Sequence, residues 1–125
     1  MNNVNNFEVA VESFEGIKII FLKGFLDAHT APELEKIIDE IIKSNCYNII
    51  VNFKELDYIS SAGLGVFMAF IEEIRNHNGD IKLTEMNNKV FSIFELLGFP
   101  VLFDIDEKNE IAIDKFKRGE IKSYE

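Results

Sequence analysis

The 125-residue chain contains no tryptophan, one cysteine, two prolines and two histidines, and only 13 of its residues are lysine or arginine against 22 acidic ones. Each shortage narrows the field. A lone cysteine, Cys46, forms no internal disulfide, which excludes a disulfide-stapled secreted scaffold; preceding an apolar run, it reads as a buried structural thiol. The net charge of −9 and sequence pI of about 4.7 argue against a nucleic-acid or anionic-membrane surface, since both need basic patches. No apolar run approaches the roughly 18 residues of a membrane span. The opening "MNNVNNFEV" has neither a basic n-region nor an apolar h-region, so no signal peptide is read and a soluble, cytoplasmic protein is expected. His29 and His77 have no companions at ligand spacing, so no metal is expected, and no cofactor motif occurs.

What remains is a globular composition, 47% hydrophobic and 28% charged, with twelve phenylalanines for a core. That length suits one domain able to bury a core. "FEVAVES" (Phe7–Ser13) alternates apolar and polar residues as a half-buried strand does, Glu15-Gly16 is a turn, and "IKIIFLKG" (Ile17–Gly24) is its hairpin partner. A helix follows, with Thr30 and Glu33 as a capping box, Pro32 in its first turn, and Leu34, Ile37, Ile38, Ile41 and Ile42 on one face. "YNIIVNF" (Tyr47–Phe53) reads as a central strand buried on both faces.

A second helix is predicted from about Ala62 to His77, ended by Asn78-Gly79. Then come a strand in "DIKLTEM", a helix in "NNKVFSIFELLGF" closed by Gly98, a weak strand in "VLFDI" and a final helix in "EKNEIAIDKFKRG". The tail "EIKSYE" is polar and expected to fray. The order predicts a single α/β domain over residues 1–125 with its core at about 7–116 and a polar tail at 117–125. Its mixed sheet has four to five strands with about four helices packed on it.

The stretch that asks for chemistry is "YISSAGLGVFMAF" (Tyr58–Phe70). It follows a strand and opens a helix, where unpaired N–H groups and the positive dipole end gather. A phosphate-binding P-loop would need a lysine that is absent, and a nucleophile elbow would need G-x-S-x-G and a general base. His77 lies toward the far end of the same helix. Two readings of the serines stay open: a helix N-cap, and a phosphoacceptor that also caps. Asp27, just before a helix, reads as a turn or capping carboxylate. On the second helix, Leu64, Phe67, Met68, Ile71 and Ile74 fall toward the sheet. Ala62, Val66, Ala69 and Phe70 fall on the other side, either under a neighbouring helix or as a docking patch.

"GFLDAHTAPELEKII", "NIIVNFKELDYISSAGLGVF" and "LTEMNNKVFSIFELLGF" occur in the order found in STAS domains, and the chain resembles a stand-alone bacterial anti-sigma factor antagonist over about Phe7 to Phe116. The resemblance implies a non-enzymatic module that binds an anti-sigma factor which is also a serine kinase, freeing the sigma factor. Phosphorylation breaks the complex and a phosphatase restores it. Aligned on the family's D-S-[ST]-G-L-G, the acceptor falls on Ser61; Ser60 stands in place of aspartate and is the rival acceptor, and Ala62 replaces the second hydroxyl. The resemblance places Asp27, Ser60, Ser61, Ala62 and Gly63 at the partner surface, and the helical pattern adds Val66 and Phe70. A monomer or weak dimer is expected. Other STAS roles stay open: a stressosome-like assembly, a lipid-transport ATPase subunit, or a nucleotide-binding domain.

Overall fold

The computed structural model describes residues 6–122. The ends of the sequence reading, the opening segment and the last three residues of the polar tail, lie outside the described residues.

Two neighbouring residues with positive φ, Glu15 at 50° and Gly16 at 84°, make a tight turn. Such a turn matches strand twist, so β1 (Phe7–Phe14) and β2 (Ile17–Leu26) pair antiparallel without a break. The chain then alternates helix and strand: α1 (Ala31–Lys43), β3 (Asn48–Ile59), α2 (Ser61–Asn76), β4 (Asp80–Thr84), α3 (Asn88–Leu96), α4 (Phe99–Leu102), β5 (Asp104–Asp106) and α5 (Asn109–Lys117). β2, β3, β4 and β5 are mutually parallel, and the sheet order is β1-β2-β3-β4-β5. This is the mixed five-stranded α/β sheet that the alternation of elements predicts, with five helices among the described residues.

The sheet has two unequal faces. One carries Ile20, Leu22, Leu26, Val51, Phe53, Leu56, Ile59, Ile81 and Leu83, and α1 through α4 cover it with Leu34, Ile38, Phe67, Phe94, Phe99 and others. The phenylalanines meet edge-on, Phe94 at 5.5 Å from Phe53 and 5.4 Å from Phe99 between ring centres. The second face is smaller: Ile17, Ile19 and Ile50 lie beneath Ala112 of α5.

Several expectations need correction. β3 does not stop at Phe53. Lys54, Glu55 and Asp57 interrupt its apolar run, yet its backbone keeps pairing with β2 through two register shifts as far as Leu26↔Ile59. Thr30 sits at the N-cap of α1 but forms no capping box: its hydroxyl donates to the Phe25 carbonyl (2.8 Å) and accepts from the Asp27 N–H (2.9 Å). The segment "VLFDI" divides between the short α4 and a three-residue β5. Cys46 is half-buried, its Sγ near the carbonyls of Gly16 and Asn48. The start of the tail is held, because the Lys122 N–H donates to the buried Asp80 carboxylate at 3.0 Å.

Candidate functional site

The parallel pairing of β2 with β3 carries two turns to the same end of the sheet. Leu26 is the last residue of β2 and Ile59 the last of β3, and they are register partners. One residue on, the Ser60 N–H donates to the Leu26 carbonyl at 2.9 Å. The Asp27 turn and the start of α2 are thereby stitched side by side at the carboxyl ends of parallel strands, where open α/β sheets present their ligand sites.

Gly63 makes that stitch possible. A Cβ there would lie 2.8 Å from the Leu26 side chain and 2.9 Å from its carbonyl oxygen, closer than real contacts allow. Gly65 differs. It is exposed and helical, its φ is not positive, and a Cβ would meet nothing within 4 Å. The fold requires the first glycine and not the second.

The two serines divide the labour that the sequence left open. Ser60 is the N-cap of α2, with extended backbone, and its Oγ accepts from the Gly63 N–H at 3.4 Å. Ser61 is the first helical residue and is exposed. Its side chain is therefore not the cap and faces solvent at the positive end of a 16-residue helix. Asp27 is half-buried, and its Oδ1 accepts from the His29 and Thr30 N–H groups at 2.9 and 3.2 Å and from the Thr30 hydroxyl at 3.3 Å. It closes the turn beside Ser60. His77 stands at the other end of α2, its ring stacked 4.2 Å from that of Tyr47.

The apolar flank of α2, which the helical wheel leaves either under a neighbouring helix or open for docking, is split by the fold, with Ala69 exposed. Val66 is 2% exposed and belongs to the core, and Phe70 and Ala62 are half-buried. α2 packs against α1 as well as the sheet, so its buried arc is wider than sheet contact alone would make it. Met68, assigned to the sheet side by the same wheel, is instead 45% exposed. The open stripe of α2 runs through Ser61, Gly65, Met68, Ala69 and Glu72. Sequence reasoning also passed over Phe25 and Tyr58, exposed register partners with ring centres 5.8 Å apart. The signal was present: each immediately precedes a fully buried strand residue, Leu26 or Ile59, so alternation turns it to the opposite face.

The STAS domain profile matches residues 8–112. The chain belongs to the STAS domain family. BtrV of Bordetella bronchiseptica, provisionally named an anti-sigma factor antagonist, is 28% identical over 110 residues, covering 88% of this chain and 95% of that protein. The anti-sigma-B factor antagonist of Staphylococcus aureus is 25% identical over 109 residues, covering 87% and 98%. The structure of the anti-sigma factor antagonist SpoIIAA in its unphosphorylated form superposes with a TM-score of 0.78 at 25% identity, covering 89% of this chain and 97% of that one. Among the described residues no helix of this STAS domain is long and apolar enough to cross a membrane.

Proposed function

We propose that the protein is an anti-sigma factor antagonist, a binding module without catalysis of its own that acts in the cytoplasm. In its unmodified state it docks the start of α2 and the Asp27 turn onto an anti-sigma factor that is also a serine kinase, and the sigma factor is released. The kinase phosphorylates Ser61 and the complex falls apart; a phosphatase resets it. The observation that carries this reading is the division between the serines: Ser60 caps the helix while Ser61, one residue on, presents an uncommitted exposed hydroxyl beside the Gly65–Met68–Ala69 stripe. Ser60 is the poorer acceptor, because its Oγ already serves the Gly63 N–H and the residue is half-buried.

The switch follows from charge. Phosphorylation adds about −1.5 to −2 charges. The helix N-terminus offsets part of this within the domain, on the order of 0.3–1 kcal/mol, so the fold survives. A docked partner must bury or repel the dianion next to Asp27, on a protein already at −9. A penalty of about 2–3 kcal/mol weakens binding roughly 30- to 150-fold, enough to exchange partners.

The test incubates the protein with an anti-sigma factor serine kinase purified from the same source and ATP, and maps the site by mass spectrometry. Phosphate on Ser61, its loss in Ser61→Ala, and failure of Ser61→Asp to bind that kinase are expected. Phosphate chiefly on Ser60, or unchanged labelling of Ser61→Ala, overturns the assignment.

A further inference from the structure

α5 covers the second face of the sheet and is held there differently from the helices of the first. No residue of α5 joins the main core, and the one side chain it buries completely is the single methyl group of Ala112. Around it Ile113 and Phe116 are only partly buried, and Ile111 is exposed. The helix has nine residues and no side-chain cap at Lys108. Helices of that length are marginal in water unless packing holds them.

What holds α5 is a set of polar contacts spread across the sheet. Asn109 Oδ1 accepts from the Thr84 hydroxyl at 2.6 Å and from Asn52 Nδ2 at 3.0 Å. Lys115 reaches Asp104 and Asp106 on β5 at 2.9 and 2.7 Å. Lys117 pairs with Glu15 in the β1–β2 turn at 2.9 Å, and the ring of Phe116 lies 4.9 Å from the Lys82 ammonium. Beyond the helix, the Lys122 N–H donates to the Asp80 carboxylate at 3.0 Å. Water replaces each hydrogen bond once the helix lifts. The sheet's own charges stay paired without it: Lys82 is held between Asp80 at 3.0 Å and Asp104 at 3.1 Å, and Arg75 Nε remains on Asp80 at 3.0 Å. Lifting α5 therefore strands no buried charge, the event that makes breaking an interior ion pair costly.

We propose that residues 109–122 form a strap that opens as one unit while the rest of the fold stays closed. Little buried apolar surface and contacts that exchange with water give a segment a low local opening free energy. Open, the strap uncovers Ile17, Ile19 and Ile50. On β2 these continue along the same face through the half-buried Phe21 to the exposed Phe25. The strap is thus a gate over an apolar strip of the second face. It is independent of the anti-sigma reading, because α2, which the serines open, packs on the first face.

The experiment is thiol labelling of the full chain in a Cys46→Ser background, with reagent dilute enough that closing outruns labelling. Ala112→Cys reports on the strap and Val51→Cys on the main core; both positions are fully buried. Position 112 is expected to label about 100-fold faster than position 51 and with little dependence on urea below the unfolding transition. Labelling at 51 rises steeply with urea, since it needs global unfolding. Phe94→Leu, in the main core, speeds labelling at 51 and leaves 112 unchanged. Lys115→Ala speeds both by the same factor, about tenfold, because it destabilises the closed state from which both openings start. Equal rates with equal urea dependence at the two positions overturn the proposal, since α5 then opens only with the whole molecule. Labelling at 112 that ignores Lys115→Ala also overturns it, since the ionic contacts then do not hold the strap. Hydrogen exchange of the unsubstituted chain decides the same point without an introduced thiol. Amides of residues 113–117 exchange ahead of those of residues 49–53 and independently of urea if the strap opens alone; exchange of both together overturns the proposal.

Discussion

Two glycines two residues apart, Gly63 and Gly65, illustrate how a side chain of one atom takes opposite meanings. Gly63 is required by the fold, since a methyl group would strike the Leu26 carbonyl that holds the Ser60 N–H. Gly63→Ala should destabilise the protein by about 1–3 kcal/mol through overpacking and loosen the stitch between the two turns. Gly65 sits in a helix interior with open space where a Cβ would stand. Glycine costs about 1 kcal/mol there relative to alanine, and among the described residues no close contact recovers it. On the proposed function the recovery comes from a partner's backbone approaching closely. Gly65→Ala should therefore raise the unfolding free energy by about 0.5–1 kcal/mol while weakening the anti-sigma complex. Chemical denaturation and calorimetry read the two effects separately; a variant that is more stable and binds equally well removes Gly65 from the interface. The paired small residues were legible in the sequence. Their opposite roles were not, because the Leu26 carbonyl lies far along the chain and only strand pairing brings it there.

At the level of elements, alternation and periodicity read the hairpin, α1, and the inner face of α2 through Leu64, Phe67, Ile71 and Ile74, all buried. They misplaced the flanks of α2. A helical wheel orders residues around an axis without saying how many neighbours the helix has, and α2 packs against both α1 and the sheet. Met68 leaves the sheet side that the wheel gave it, and Val66 takes the first of its two readings, buried and not open for docking. The expected outcomes of substitution follow. Val66→Lys forces a charge into the core and should cost several kcal/mol, about 3–5, seen as loss of the cooperative thermal transition. Met68→Lys should leave stability within about 0.5 kcal/mol and reduce binding to the anti-sigma partner. If Val66→Lys folds and Met68→Lys binds normally, the stripe proposed as the docking surface is the wrong one. β3 was underread for a related reason. Its second half is polar in sequence, and only the backbone ladder with β2 reveals it as strand.

Across the whole molecule, the far half of the sheet is tied by charges that the sequence did not reveal as a set. Asp80 and Lys82 have fully buried side chains. Asp80 accepts from Arg75 Nε on α2 and from its neighbour's Ile81 N–H through Oδ1, and from Lys82 Nζ and the Lys122 N–H through Oδ2, each at 3.0 Å. Lys82 continues to Asp104 on β5 at 3.1 Å, and Lys115 on α5 bridges Asp104 at 2.9 Å and Asp106 at 2.7 Å. In "DIKLT" the alternation sets Asp80 and Lys82 on one face, but the third member, Asp104, lies 22 residues farther on and is not legible as part of the set. Removing one member of such a chain leaves another charge uncompensated, which is worse than never having buried it. Burial pushes the Asp104 carboxyl up, but hydrogen bonds and charge from Lys115 and Lys82 outweigh it and hold it below the usual carboxylate range. Burial likewise pushes Lys115 down, and its hydrogen bonds to Asp106 and Asp104 carry it above the usual lysine range. The signs are opposite in pH. The Asp104 contribution is complete above the ordinary carboxylate pKa of about 4 and is lost as pH falls through the lowered folded value; that of Lys115 is complete below about 10.5 and is lost as pH rises through the raised one. Asp104→Asn should accordingly cost about 1–3 kcal/mol at pH 7, scaled down because the network is partly open at Lys115. It should also flatten the fall in stability that the wild type undergoes below pH 4. Urea denaturation at stepped pH measures both. An unchanged acid limb in Asp104→Asn would mean that other carboxylates drive acid unfolding and that this network holds α5 to the sheet without setting the pH response.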